Sequence, residues 1–202
     1  MHCIAPVVMP AQPALDEPQR EVHSPHRLTR AAYRSLIDLG HIDADAKVEL
    51  LNGVIEDMSP RGAEHRATAH YLLKRLIIAL GDRAAVVSQC SFAASDFDEP
   101  EPDIAIVPAE SIEDKDLTRA FCLIEVSVSS RRRDLVKAAV YARAGVMQYI
   151  LVDVPKRQAL VHRGPHGDAY DHVDIVREGT PIVIDAFPDV TFDLAAVLPR
   201  GT

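Results

Sequence analysis

Three cysteines in 202 residues, Cys3, Cys90 and Cys122, with no CxxC pair among them, exclude a disulfide framework and a cysteine-based zinc knuckle. Cys90 and Cys122 read as buried free thiols. Long apolar runs are missing too: stretches such as Leu76 to Leu80 and Ile150 to Val152 fall far short of the roughly 20 residues a membrane-spanning helix needs. The N-terminus has no basic segment ahead of an apolar one and is interrupted by Pro6, Pro10, Pro13 and Pro18, so it does not read as a secretory signal, and a cytoplasmic location is expected. Positive charge is scarce: 22 Lys and Arg face 30 Asp and Glu, a formal net charge of −8. That balance argues against a protein that coats long stretches of phosphate backbone. It leaves room for an enzyme whose carboxylates hold a cation that then meets a phosphate. His65 and His70 lack the i, i+4 spacing of helical zinc ligands, and the chain has no internal repeat or low-complexity tract.

What is present is globular: 26% charged and 48% hydrophobic residues, in a length that suits one domain with one active site. Residues 1–26, rich in Pro and Ala without periodicity, are expected to form a flexible arm, and residues 27–202 the single domain. Thr29 can cap a helix from Arg30 to Leu39, with Leu36 and Leu39 on one face and Gly40 as its stop, a flank or lid. In KVELLNGVIEDM, two apolar-rich runs meet at Asn52-Gly53, the dipeptide suited to a type I′ turn, which predicts a β-hairpin. From Glu64 to Leu80 the positions Ala69, Leu72, Leu73, Leu76 and Leu80 recur at helical spacing. Strand-like runs follow at Ala84 to Phe92, Asp103 to Val107 and Phe121 to Val128. A helix from Arg132 to Ala144, ended by Gly145, then leads to a strand from Gln148 to Val152, the strand–helix–strand signature of an α/β sheet. Short strands at Ala159 to Arg163, Tyr170 to Val176 and Pro181 to Ile184 complete the pattern, closed by Leu194 to Leu198.

Alternation along FCLIEVSVS places Leu123, Glu125 and Ser127 on one face and Cys122, Ile124, Val126 and Val128 on the other. Glu125 is therefore a carboxylate in an apolar strand, where it costs several kcal/mol unless paired, protonated or metal-bound. Asp103, opening Asp-Ile-Ala-Ile-Val after Pro102, poses the same problem. The two together on neighbouring strands would form a hard-oxygen site suited to Mg²⁺ or Mn²⁺, which bind through one or two carboxylates, water and a substrate phosphate. Taken singly, each carboxylate is explained as well by an ion pair with a nearby arginine or by a solvent-exposed position at a strand end. Arg131, Arg132 and Arg133 open the next helix and could clamp phosphates, or be a solvated basic run. His65 reads as a substrate-side or hairpin-capping group. Asp96, Asp98, Glu99 and Glu101 read as a solvated acidic turn that a second metal could visit.

The runs VELLNGVIEDMSPRGAEH, EPDIAIV and LIEVSVSSRRRDLVKAAVYARAGVMQYILVD resemble the bacterial Uma2 family of endonucleases, of the PD-(D/E)XK superfamily, from about Arg27 to Leu198. The resemblance implies a restriction-endonuclease-like α/β fold with a mixed central sheet flanked by helices and an N-terminal hairpin. It implies Asp103 and Glu125 as metal-binding carboxylates, and Glu49 as a further acid beside the metal. Ser127 stands where the superfamily has lysine, and the missing cation is supplied from the following helix by Lys137. Periodicity alone puts Lys137 on the polar side of that helix. The implied substrate is nucleic acid, DNA foremost, and the implied assembly a homodimer. A catalytically silent binding or assembly module on the same fold, and hydrolysis of another phosphate-bearing substrate, are the rival readings.

Overall fold

The computed structural model describes residues 26–128 and 131–199, with the backbone alone for residues 131–135. The arm expected over residues 1–26 and the thiol of Cys3 lie outside the described residues, apart from His26. Thr29 caps α1 (Arg30–Asp38) as its spacing predicts, its side chain accepting a bond from the Ala32 amide. The buried residue of α1 is Tyr33, whose hydroxyl donates to the Val48 carbonyl, and Leu39, the C-cap, is 71% exposed.

The hairpin of β1 (Val48–Leu51) and β2 (Val54–Asp57) turns on Asn52 and Gly53, both at positive φ (52° and 76°), as a type I′ turn requires. Gly53 is needed there for a second reason: a Cβ would lie 2.7 Å from the Cβ of Arg27. After the hairpin comes α2 (Ala63–Leu80). A six-stranded sheet follows in the order β3 (Ala85–Ser88), β4 (Ile104–Val107), β5 (Cys122–Ser127), β6 (Gln148–Asp153), β7 (Gln158–His166) and β8 (Ala169–Arg177). Only β5 and β6 pair in parallel; α3 (Arg131–Arg143) is their crossover, so the sheet is mixed and flanked by helices.

A second hairpin, β9 (Ile182–Ile184) with β10 (Phe187–Phe192), lies apart from the main sheet. The sequence hides β10, because Pro188 sits inside it and the pairing shifts between Phe187 and Thr191.

The sheet separates two apolar layers. On one face Ile104, Ile106, Cys122, Ile124 and Val126 pack with Leu72, Leu76 and Leu80 of α2 and with Ile182, Phe192 and Leu194. On the other, Ala105, Val107, Leu123 and Leu151 pack with Leu51 of the hairpin and Val140 and Tyr141 of α3. Cys122 is fully buried and Cys90 only partly so, a correction to the expected pair of buried thiols, since Cys90 lies past the end of β3. No helix among the described residues is long and apolar enough to cross a membrane.

Candidate active site

The antiparallel register of β4 and β5 pairs Ile104 with Ile124 and Ala105 with Leu123. One step outward, Asp103 and Glu125 are neighbours across the pair, and alternation puts both on the face of α3 and the first hairpin. Asp103 is held there by two bonds to one oxygen: its Oδ2 accepts from the Val126 amide (2.8 Å) and lies 2.9 Å from Nε2 of His65, in the first turn of α2. Its Oδ1 has only Arg61 Nε nearby, at 3.6 Å. Burial pushes the Asp103 carboxyl up, but the His65 bond, the Val126 amide and the Arg61 charge together hold it below the ordinary carboxylate range.

Glu125 is treated differently. Its Oε1 accepts from Lys137 Nζ (2.8 Å) and from the Tyr141 hydroxyl (2.9 Å). Burial pushes its pKa up to about 8 against the pull of Lys137, and the nearby charges of Asp103 and Glu49 add to the rise. Lys137 also reaches Glu49 Oε2 at 2.9 Å, and that oxygen accepts from the Glu101 amide at 3.2 Å. Although burial alone would lower the Lys137 pKa, the two glutamates raise it above the ordinary lysine value, so the ammonium stays charged. The lysine that helix periodicity places in solvent is thus 4% exposed, because its stem carries the charge into a cleft where two carboxylates wait.

The structure accordingly brings Glu49, His65, Asp103, Glu125 and Lys137 into one buried cluster. His65 bonds to Asp103 and not to the hairpin end. The side chains of Arg131, Arg132 and Arg133 lie outside the described residues. The acidic turn is only partly solvated: Asp96 is exposed, but Asp98 accepts from the Asn52 amide and Ser95, and Glu99 is clamped by Arg34, so two of its four acids are buried structural partners. Tyr141 and Arg61 were not singled out in the sequence, and Glu101 was named only as part of the acidic turn. Tyr141 stands four residues after Lys137, hence on the same helix face, a spacing that could have found it. Arg61 and Glu101, joined at 2.9 Å, carried no periodic signal.

The donor set fits a hard divalent cation by its chemistry. Four carboxyl groups (Glu49, Glu101, Asp103, Glu125) meet two permanent cations (Arg61, Lys137), which leaves the cluster two positive charges short when every acid is ionised. Asp103 Oδ1 and Glu125 Oε2 are among the oxygens not taken up by strong bonds, as are Glu49 Oε1 and Glu101 Oε2. Among the described residues no three His, Cys, Asp or Glu groups are already set to hold a metal together. The fit is therefore of the kind in which one or two carboxylates and several waters complete the shell.

The architecture is that of a nuclease fold. Among solved structures it is similar to "a putative nuclease belonging to DUF820" from Anabaena variabilis, with a TM-score of 0.72 and 13% identity over 84% of this chain and 97% of that one. At that identity the likeness establishes the fold. No curated protein matches the chain. Residues 31–195 match the family model Uma2, described as "Putative restriction endonuclease", and the chain belongs to that family.

Proposed function

We propose that this protein is a divalent-metal-dependent endonuclease that hydrolyses phosphodiester bonds in nucleic acid, DNA foremost. The observation that carries the reading is the register of β4 and β5, which sets Asp103 beside Glu125 on one face, with Lys137 bridging Glu125 to Glu49. Asp103 and Glu125 would hold Mg²⁺ or Mn²⁺, with Glu49 as an outer acid. When bound, the metal would neutralise charge at the phosphate and lower the pKa of a water.

The protein's own residues do the positioning. His65 and the Val126 amide fix Asp103 through Oδ2 and leave Oδ1 free to face the cation. Tyr141 pins Oε1 of Glu125 in the same way. The ammonium of Lys137, held charged by two glutamates, orients the attacking water or steadies a phosphate oxygen, a role other members of the superfamily give to the position of Ser127. The electrostatic gain is large because the cluster is buried and its dipoles need not reorganise. Arg131 and Arg132 are proposed phosphate contacts on charge patterning alone. The reading extends to a cytoplasmic homodimer, which rests on the resemblance and on composition.

Incubation with supercoiled, linear and single-stranded DNA in Mg²⁺ or Mn²⁺, beside an Asp103→Ala variant, tests it. Cutting that disappears in the variant is expected. A metal-dependent thermal shift with no cutting of any substrate would favour the silent module instead.

A further inference from the structure

Arg61 stands at the rim of the acid cluster. Its side chain is 16% exposed, against 6% for that of Lys137. Its NH2 donates to Glu101 Oε1 at 2.9 Å, while its Nε lies 3.6 Å from Asp103 Oδ1, too far for a hydrogen bond. The guanidinium is therefore loosely set against the one Asp103 oxygen that His65 and Val126 leave uncommitted. It is carried by the irregular segment Pro60-Arg61-Gly62 ahead of α2, not by a strand or helix interior, and Gly62 gives the first amides of α2 no side-chain cap. Lys137 is the opposite case, buried and tied to two carboxylates.

We propose that Arg61 is an exchangeable counter-cation: without metal it occupies the electrostatic place of the cation at Asp103, and with nucleic acid bound it leaves that carboxylate for a backbone phosphate oxygen. A divalent ion at Asp103 repels the guanidinium, and an arriving phosphate accepts it through the planar fork that suits two phosphate oxygens at once. Each event makes the other easier, so metal and nucleic acid bind cooperatively, and the coupling is the same whichever binds first. The inference rests on the nuclease reading. In this role Arg61 selects for a substrate that brings its own negative charge, and keeps the metal weakly held until that substrate is present.

Calorimetric titration of Ca²⁺ into the full chain, with and without a short duplex oligonucleotide checked to remain intact, tests this directly. In the wild-type protein the duplex should tighten Ca²⁺ binding about tenfold, in the usual range of coupling between sites. Arg61→Gln should bind Ca²⁺ alone several-fold more tightly, roughly the effect of removing one nearby like charge in a polar environment. It should also lose most of the tightening by duplex. Arg61→Lys keeps the charge without the fork, so its Ca²⁺ affinity should stay near wild type while the coupling falls. Melting of each metal-free variant confirms that it is folded. Wild-type affinity and wild-type coupling in both variants would overturn the exchange. Asp103→Asn separates the two levels: if it loses Ca²⁺ while both Arg61 variants behave as wild type, only the role of Arg61 falls. If Asp103→Asn binds Ca²⁺ as the wild type does, the metal site itself, and the nuclease reading with it, is overturned.

Discussion

The two faces of β4 and β5 are built from the same strands in the same register, yet they are opposites. Toward α2, Ile104, Ile106, Cys122, Ile124 and Val126 bury apolar surface and nothing else. Toward α3, the alternate positions Asp103 and Glu125 interrupt an otherwise apolar run of Ala105, Val107 and Leu123 and draw in Lys137, Tyr141, Glu49 and His65. The first face contributes stability through transfer from water. The second spends part of that stability on desolvated charge, and each of its acids has acquired a partner. A strand that is apolar on one side can thus hold a costly functional group rigidly on the other.

Substitutions that respect one face and injure the other sharpen this contrast. Asp103→Asn keeps the shape and an acceptor for the Val126 amide, so it should fold and melt much as the wild type, while metal-dependent cleavage falls on the order of a thousandfold or more. Ile124→Ala, one residue from Glu125 and facing the other way, should do the reverse: about 2–5 kcal/mol lost in denaturant unfolding, with the folded fraction still cutting at its normal rate. Equal loss of activity per folded molecule in both variants would break the comparison. Tyr141→Phe removes only the hydroxyl that pins Glu125, and a drop of about 10–100-fold in cleavage with little change in DNA affinity is expected.

The smallest effect concerns His162, buried between Tyr149 and Tyr170 on the α3 side, its Nδ1 3.2 Å from the Tyr149 carbonyl. Burial lowers its pKa from 6.5, with its backbone hydrogen bonds pulling the other way. The unfolded chain therefore takes up this proton before the folded one, so the contribution is present above pH 6.5 and is lost as pH falls below it. Denaturant midpoints compared between pH about 7 and about 5 should drop less in His162→Phe than in the wild type.

Much of this contrast was legible in the order of residues. Glu125 announced itself as the one charged residue in an otherwise apolar strand ending in Ser127, and Asn52-Gly53 set the hairpin that delivers Glu49. The burial of Lys137 was not legible from periodicity, since a helix wheel registers the helix and not the carboxylates brought to it by β1 and β5. Only the family resemblance singled out this lysine. The acidic turn was misread for the same reason: Arg34, which clamps Glu99, is 65 positions away. His65 was visible as a candidate, but its partner depends on where the first turn of α2 meets the end of β4. Arg61 left no local trace, because its significance comes from distance to Asp103 and Glu101 alone.

The central claim is that adjacent strands assemble two acids into a site for one hard cation. Titration of Mn²⁺ into the metal-free protein, followed by the loss of its free-ion electron-spin signal, tests this most directly against Asp103→Asn and Glu125→Gln. One bound ion is expected in the wild type and none at the same concentrations in either variant. Undiminished Mn²⁺ binding by both variants would contradict it.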